Sequence, residues 1–231
     1  TRDDYEQAFR EFIGQSESTL AWQSDLERLK LAADNTHVLN DNEPMLEKLT
    51  LPGMVNRRDA WQVVQAVHGL LGTPLQELIT HMNNFPGLSR RFEQVAPNLH
   101  TDYAHTPPKI RGALQLGHEV AGDNLVVVYE GLHNTRQHFI REELATLFDD
   151  VKQLYIVPSY LAREDPNLEL LSPAKLVDGL SGQSKSHARP AQLDQELKHA
   201  IEAHITSGDL VLCLTAGGGG SLDEWLRREF Q

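Results

Sequence analysis

The sequence predicts an α/β protein, the larger part of which is a Rossmann-like, mostly parallel sheet. Strand-like and helix-like segments alternate regularly from about residue 89 to the last residue, and this alternation is typical of parallel sheets with crossover helices. The runs at residues 125–128 and 210–214 are continuously apolar. Strands of this kind are covered by helices on both faces.

The first 88 residues predict a smaller α/β region. Tyr5, Phe9 and Phe12 fall on one face at helical spacing, which predicts a helix over residues 2–13. Thr73 is the predicted N-cap of a later helix, and Pro74 its first residue. The other predicted elements are strands at 19–22 and 36–39 and helices at 25–33, 57–71 and 75–83. Residues 84–87 read Asn-Phe-Pro-Gly, which ends the last helix and predicts a domain boundary near residue 88.

Ten elements are predicted after this boundary. The strands are at 92–101, 124–129, 153–158, 184–188 and 209–215. The helices are at 107–121, 136–149, 172–180, 191–206 and 221–230. Pro107 and Pro108 suit a first helical turn, where a missing N–H group costs nothing.

Composition narrows the classes of protein to which the chain can belong. Of its 231 residues, 40% are hydrophobic and 23% charged, which is ordinary for a soluble globular protein. The formal net charge of −12 argues against nucleic acid as a partner, because phosphate neutralisation needs clustered lysine and arginine. The sequence has no apolar run long enough for a membrane span. Cys213 is the single cysteine, which excludes an internal disulfide and predicts a reducing, cytoplasmic location.

Polar side chains are concentrated where the strand ending at Thr101 meets the next helix. Asp102, Tyr103 and His105 offer a carboxylate, a phenol and an imidazole there. The carboxyl ends of parallel strands form the crevice in which α/β proteins bind ligands. The alternative is a structural loop in which the aspartate caps the helix and the two rings pack locally.

Three segments of the chain resemble the Mur ligases, the ATP-dependent amino-acid ligases of peptidoglycan synthesis. Residues 102–107 read Asp-Tyr-Ala-His-Thr-Pro and resemble the motif that opens the C-terminal domain of that family. Residues 53–56, Gly-Met-Val-Asn, resemble the Gly-x-His-Asn segment, and residues 87–93 resemble Gly-x-x-Arg-Arg-Phe-Glu. The resemblance runs over nearly the whole chain and is strongest at about residues 50–150.

The resemblance implies a particular place for this chain within a longer protein. Mur ligases carry a UDP-sugar-binding N-terminal domain and a central ATPase domain whose phosphate loop ends in Gly-Lys-Thr. No Gly-Lys-Thr or Gly-Lys-Ser occurs here, and the chain begins with Thr1. We therefore expect a fragment: residues 1–88 would be the C-terminal part of the central α/β ATPase domain, and residues 89–231 the C-terminal, amino-acid-binding domain.

The resemblance also implies an activity for the full-length protein. In this family ATP phosphorylates the carboxylate of a UDP-sugar, and the amine of an amino acid then attacks the acyl phosphate. The expected substrates are UDP-N-acetylmuramate and L-alanine, because the later sequence resembles the alanine-adding branch most; the tripeptide-recycling branch is a near relative. ATP and Mg²⁺ would be required, with the metal ligands outside this chain. The fragment alone is expected to be inactive.

Six site residues are carried over by position in the family's motifs. They are Asp102 and His105 for catalysis, Tyr103 and Arg136 for substrate binding, and Asn56 and Arg91 for nucleotide binding. Arg136 would anchor the carboxylate of the amino acid, since its fork binds both oxygens. Val55 and Leu132 stand where the family has histidines, which puts the adenine site and strict alanine specificity in doubt. A solvated linker cation is the alternative for Arg91.

Several features leave alternatives open. The run Gly217–Gly220 can cradle a phosphate or permit a close backbone approach. His187, His199 and His204 lack metal-ligand spacing, so no metal is assigned. A reading of a different class is a non-catalytic, Rossmann-like module that binds a nucleotide or a protein partner.

Overall fold

The computed structural model describes residues 2–32, 35–162 and 164–231. The chain divides into two compact units, Thr1–Phe85 and Pro86–Gln231. In the part of the chain that the structure describes, no helix is both long and apolar enough to cross a membrane.

The apolar core of the first unit is formed by a two-stranded parallel sheet, a 3₁₀ helix and the last two helices of that unit. Two tryptophans, Trp22 and Trp61, lie in that core together with Val64 and Ile79. The elements are α1 (Arg2–Gly14), β1 (Thr19–Trp22), α2 (Gln23–Leu29), β2 (Thr36–Leu39), a 3₁₀ helix (Pro44–Lys48), α3 (Met54–Leu71) and α4 (Leu75–Asn83).

The second unit is a six-stranded sheet in the order β3-β4-β8-β5-β6-β7. All neighbouring strands are parallel except β3 and β4. The strands are β3 (Glu93–Ala96), β4 (Leu99–Asp102), β5 (Leu125–Leu132), β6 (Gln153–Tyr160), β7 (Ala188–Pro190) and β8 (Leu210–Leu214). The helices are α5 (Pro107–Ala121), α6 (Asn134–Leu147), α7 (Pro173–Asp178), α8 (Gly182–Ser186), α9 (Gln195–Thr206) and α10 (Leu222–Phe230).

Helices cover both faces of this sheet. Every residue of β5 and β8 is buried. Val127 belongs to the core formed with α5, α6 and α7, whereas its neighbours Val126 and Val128 belong to the core formed with α9 and α10. The predicted α/β fold with a Rossmann-like, mostly parallel sheet is therefore confirmed.

Two predicted strands were wrong. Residues 92–101 form an antiparallel hairpin, because Asn98 adopts a left-handed φ of 58° and turns the chain between β3 and β4. Residues 184–188 are mostly helical. Ser181 caps α8 by accepting a hydrogen bond from the Ser184 N–H group, and only Ala188 begins β7.

Two helix ends in the first unit also differ from the prediction. Helix α2 ends at Leu29 because Lys30 adopts φ 54°, so the predicted continuation to residue 32 is not helical. Ala33, the last residue of that prediction, lies outside the described residues. Pro74, and not Thr73, occupies the N-cap position of α4.

The core on the α5–α6 face yields a stability prediction. Phe148 is fully buried and its ring centroid lies 5.4 Å from that of Tyr129. Phe148→Ala should lower the free energy of unfolding by about 3–5 kcal/mol, because it removes apolar contacts and leaves a cavity. Urea unfolding followed at the amides of β5 measures this. Phe139→Ala is the matched control: Phe139 is 82% exposed, so a change above about 0.5 kcal/mol there would contradict this account.

Candidate functional site

Polar groups collect at one edge of the sheet of the second unit. Strands β4, β8 and β5 are adjacent and parallel, so their carboxyl ends lie side by side. Asp102 ends β4, Glu130 lies near the end of β5, and residues 216–221 follow β8. This edge is the position at which open α/β sheets bind ligands.

The carboxylate of Asp102 is held by two residues of the preceding segment, Phe92 and Arg91. Its Oδ2 accepts a 2.9 Å hydrogen bond from the Phe92 N–H group, and its Oδ1 lies 3.9 Å from Arg91 Nη1. Burial raises the pKa of this carboxyl group, whereas the Phe92 N–H group and the charges of Arg91 and Lys109 oppose the rise. Because Phe92 has a left-handed φ of 47°, one role of Asp102 in this structure is to fix that turn.

Tyr103 lies between an arginine and a histidine. The guanidinium carbon of Arg90 is 4.4 Å from the centroid of its ring, and the ring of His105 is 4.5 Å away. The Tyr103 N–H group donates to the Arg90 carbonyl at 2.9 Å. The predicted substrate residue is therefore held in place through both its backbone and its ring.

His105 is a buried, neutral imidazole. It is 7% exposed, and burial, reinforced by the charges of Lys109, Arg136 and Arg91, lowers its pKa to about 4. Its Nδ1 lies 3.2 Å from the Tyr103 carbonyl oxygen. A carbonyl can only accept, so Nδ1 carries the proton and Nε2 presents a lone pair.

Arg136 lies in the first turn of α6 beside a pocket of about 430 Å³. His133, Thr106, Phe139 and Ile140 also line this pocket. The Nη1 atom of Arg136 is buried and makes no hydrogen bond within the described residues. A buried guanidinium nitrogen without an acceptor suits the carboxylate of a ligand.

A loop after β6 fixes the start of α6. The Glu164 carboxylate accepts from the Thr135 N–H group at 2.8 Å, which places a negative charge at the helix N-terminus. Asn134 binds the same loop twice, donating to the Glu169 carbonyl and accepting from the Leu171 N–H group. The loop after β6 thus fixes the first turn of α6, in which Arg136 lies.

Glu130 is a buried carboxylate, 2% exposed, that was not among the predicted site residues. Its two carboxylate oxygens accept 2.9 Å hydrogen bonds from the N–H groups of Ala216 and Leu222. Burial raises the pKa of Glu130, and these donors oppose the rise. The sequence signal that identifies Glu130 is a carboxylate inside an otherwise apolar strand, because a buried charge must be paired.

The residues that follow β8 therefore do not resemble an open phosphate cradle. The N–H groups of Ala216 and Leu222, which flank Gly217–Gly220, bind Glu130, and the Gly220 N–H group donates to Glu224 Oε2. A Cβ atom at Gly217 would lie 2.2 Å from the Tyr160 ring. The geometry supports the alternative of a close backbone approach.

The two predicted nucleotide residues occupy different units. Asn56 lies in the first turn of α3 and donates to the Pro52 carbonyl at 2.8 Å, which leaves its own carbonyl for other donors. Arg91 lies in the second unit; its side chain is 45% exposed, and its Nη1 lies 3.9 Å from Asp102 Oδ1. The other four predicted site residues, Asp102, Tyr103, His105 and Arg136, also lie in the second unit.

His187, His204 and Cys213 have structural surroundings. His204 Nδ1 lies 2.8 Å from Asp209 Oδ2, and its Nε2 lies 3.1 Å from the Tyr155 hydroxyl. His187 Nε2 contacts the Phe148 carbonyl. Cys213 is fully buried, and burial raises the pKa of its thiol. Within residues 2–32, 35–162 and 164–231, no group of three or more His, Cys, Asp or Glu side chains could hold a metal ion.

The fold and the arrangement at its sheet edge are those of a ligase-family domain. The family model described as "Mur ligase, glutamate ligase domain" matches residues 90–217, more than half of the chain. The chain therefore belongs to the Mur ligase family.

Curated relatives are UDP-N-acetylmuramate–L-alanine ligases. The protein of Brucella anthropi is 27% identical over 182 residues, covering 77% of this chain and 38% of the relative. That of Brucella ovis is 27% identical over 185 residues, with the same shares of the two chains. This chain thus spans about two-fifths of the length of the relatives that it matches.

Solved structures agree on the fold. The UDP-N-acetylmuramate–alanine ligase of Thermotoga maritima gives a TM-score of 0.57 at 25% identity, over 78% of this chain and 38% of that one. A murein peptide ligase of Psychrobacter arcticus gives 0.52 at 20% identity, over 78% and 37%. A folylpolyglutamate synthase of Mycobacterium tuberculosis gives 0.54 at 14% identity, over 84% and 51%. The last two likenesses concern the fold alone.

His105 provides a test of the electrostatics at this site. In the folded chain its pKa should be about 4, against about 6.5 in the unfolded chain. Because folding favours the neutral form, the stabilisation is fully present above about pH 6.5 and is lost as the pH falls toward 4, by up to about 1.4 kcal/mol per pH unit. NMR titration of His105 with and without urea measures both values. Titration near 6.5 in the folded chain would contradict the assigned burial.

Proposed function

We propose that this chain is part of an ATP-dependent ligase that joins an amino acid to UDP-N-acetylmuramate through an acyl phosphate. Membership of the Mur ligase family and the names of the relatives support this assignment. The observation that carries it is Arg136, whose buried Nη1 faces no acceptor in the described structure and lies beside a pocket. L-Alanine, which the relatives' names contain, is the first amino acid to test.

Each site residue has a proposed task. Arg136 binds the carboxylate of the amino acid, with Tyr103 beside it. His105 presents its Nε2 lone pair to the incoming amine, and Asp102 fixes the turn that carries Arg91. Arg91 contacts phosphate, and Asn56 contacts the nucleotide base. ATP supplies the phosphoryl group, and Mg²⁺, held by ligands outside this chain, supplies charge neutralisation.

We also propose the division of labour between the two parts of the chain. Residues 1–88 would complete the central ATPase domain, and residues 89–231 would form the amino-acid-binding domain. The division into units at residues 85 and 86 supports this boundary.

The tripeptide-recycling activity is the second candidate within the family. Leu132 replaces the histidine of the alanine-adding motif, and Asn134-Thr135 resembles the recycling branch. In the structure Asn134 holds the loop after β6, whereas Thr135 is among the residues that line the pocket. The choice of acceptor in the assay below decides between the two activities.

The test is amide formation by the whole protein and by this chain. The whole protein should form an amide from UDP-N-acetylmuramate and L-alanine with ATP and Mg²⁺, and release ADP. The 231-residue chain should form none, because it lacks the Gly-Lys-Thr phosphate loop. Use of the tripeptide in place of L-alanine would favour the recycling activity. A whole protein that binds nucleotide but forms no amide would favour the non-catalytic module.

Arg136 can be tested by kinetics in the whole protein. Arg136→Ala should raise the KM for the amino acid about 30- to 1000-fold, since a charge-assisted bidentate contact is worth about 2–4 kcal/mol. The KM for ATP should change little. Arg111→Ala, which removes an exposed arginine paired with Glu143 on the neighbouring helix, is the control and should leave both constants unchanged. An unchanged amino-acid KM in Arg136→Ala removes Arg136 from the site.

A further inference from the structure

The segment Ala216–Ser221, which we call the glycine-rich loop, needs contacts from elsewhere to adopt one conformation. It contains four consecutive glycines, and glycine loses more conformational freedom on folding than any other residue. Glu130 binds the N–H groups at its start and just beyond its end. Inside the loop the Gly220 N–H group donates to Glu224 Oε2 at 2.8 Å and the Ser221 N–H group donates to the Gly218 carbonyl at 3.1 Å, but neither bond reaches the Gly217 carbonyl.

Arg90 supplies a contact inside the loop. Its Nη2 donates a 3.0 Å hydrogen bond to the Gly217 carbonyl, across 127 residues of sequence. Its Nε lies 3.7 Å from Asp223 Oδ2 in the first turn of α10. The same guanidinium group stacks on the Tyr103 ring at 4.4 Å.

The backbone of Arg90 is fixed independently of its side chain. Its N–H group donates to Glu93 Oε2 at 2.7 Å, and its carbonyl accepts from the Tyr103 N–H group at 2.9 Å. Glu93 is in turn bound by both terminal nitrogens of Arg227. The guanidinium group thus projects from a rigid base toward the glycine-rich loop and Tyr103 together.

We propose that Arg90 is a positioning residue that couples the glycine-rich loop to Tyr103 and so pre-organises the amino-acid site. The proposal rests on the proposed function where it assigns Tyr103 to that site. When the glycine-rich loop and the Tyr103 ring are already ordered, no binding free energy is lost in ordering them. The effect should therefore appear in the affinity for the amino acid and not in that for ATP.

Lysine cannot replace arginine in this role. A lysine ammonium has no planar face to stack on Tyr103 and no fork to reach Gly217 and Asp223 at the same time. Arg90→Lys keeps the charge and the same backbone preferences at φ 58°. Arg90→Gly removes the side chain and relieves that left-handed conformation, so it guards against a variant that simply fails to fold.

The first arm of the test uses the 231-residue chain. Backbone ¹⁵N relaxation should give order parameters for Gly217–Gly220 that fall from about 0.8 in the wild type to below about 0.6 in both Arg90 variants. Arg111→Lys makes the same substitution at an exposed position and should leave the loop unchanged. Unchanged order parameters in Arg90→Lys and Arg90→Gly would overturn the proposal.

The second arm uses the whole protein. Arg90→Lys should raise the KM for the amino acid about tenfold while the KM for ATP stays constant. A purely structural role would lower the melting temperature and leave both constants per folded molecule unchanged, and that result would also overturn the proposal. If the wild type forms no amide, the proposed function fails and the kinetic half of this proposal fails with it; the relaxation data distinguish that outcome from a failure of the loop contact.

Discussion

The burial of β5 and β8 on both faces is the constraint on which the second unit depends. Strands that are covered on two sides can carry polar side chains only near their ends, so the chemistry collects at the sheet edge. Glu130 illustrates this constraint. As a carboxylate near the end of a buried strand it must find donors, and it finds them in the N–H groups of Ala216 and Leu222.

The pairing of Glu130 then determines the course of the chain after β8. Both ends of the glycine-rich loop return to one carboxylate, and Gly217 packs against the Tyr160 ring, where no side chain would fit. The Gly217 carbonyl is left facing Arg90. A chain of contacts therefore leads from the central strand through the loop to Arg90 and Tyr103, although these segments are far apart in the sequence.

Sequence reasoning succeeded where the signal was local. Apolar runs and alternating elements were enough for the parallel sheet, and the three segments at 53–56, 87–93 and 102–107 were enough for the family. The hairpin was missed because Asn98 can turn left-handed inside what reads as a continuous strand. Helix α8 was missed because the Asp149 carboxylate, 35 residues away, accepts from the N–H group of Ser184.

The same distinction between local signals and contacts across distant segments explains which candidate site residues could be predicted. Asp102, Tyr103 and His105 are adjacent in the sequence, and the structure keeps them together. Arg91 was carried over because its position matches the family's motif, whereas the contacts of Arg90 with Gly217 and Asp223 have no signal in the local sequence. No local pattern encodes a contact across 127 residues.

The charged groups that act on His105 are opposite in sign to the net charge of the chain. The protein has a net charge of −12, yet burial, reinforced by the positive charges of Lys109, Arg136 and Arg91, lowers the pKa of His105. With a pKa of about 4, His105 is too weak a base to deprotonate an ammonium group at neutral pH, so its Nε2 is suited to orienting an amine that has already lost its proton. Burial is the largest cause of the low pKa, so an anionic substrate that offsets the three cations would remove only the smaller part of the shift. The imidazole of His105 is therefore suited to orienting a substrate both before and after anions bind.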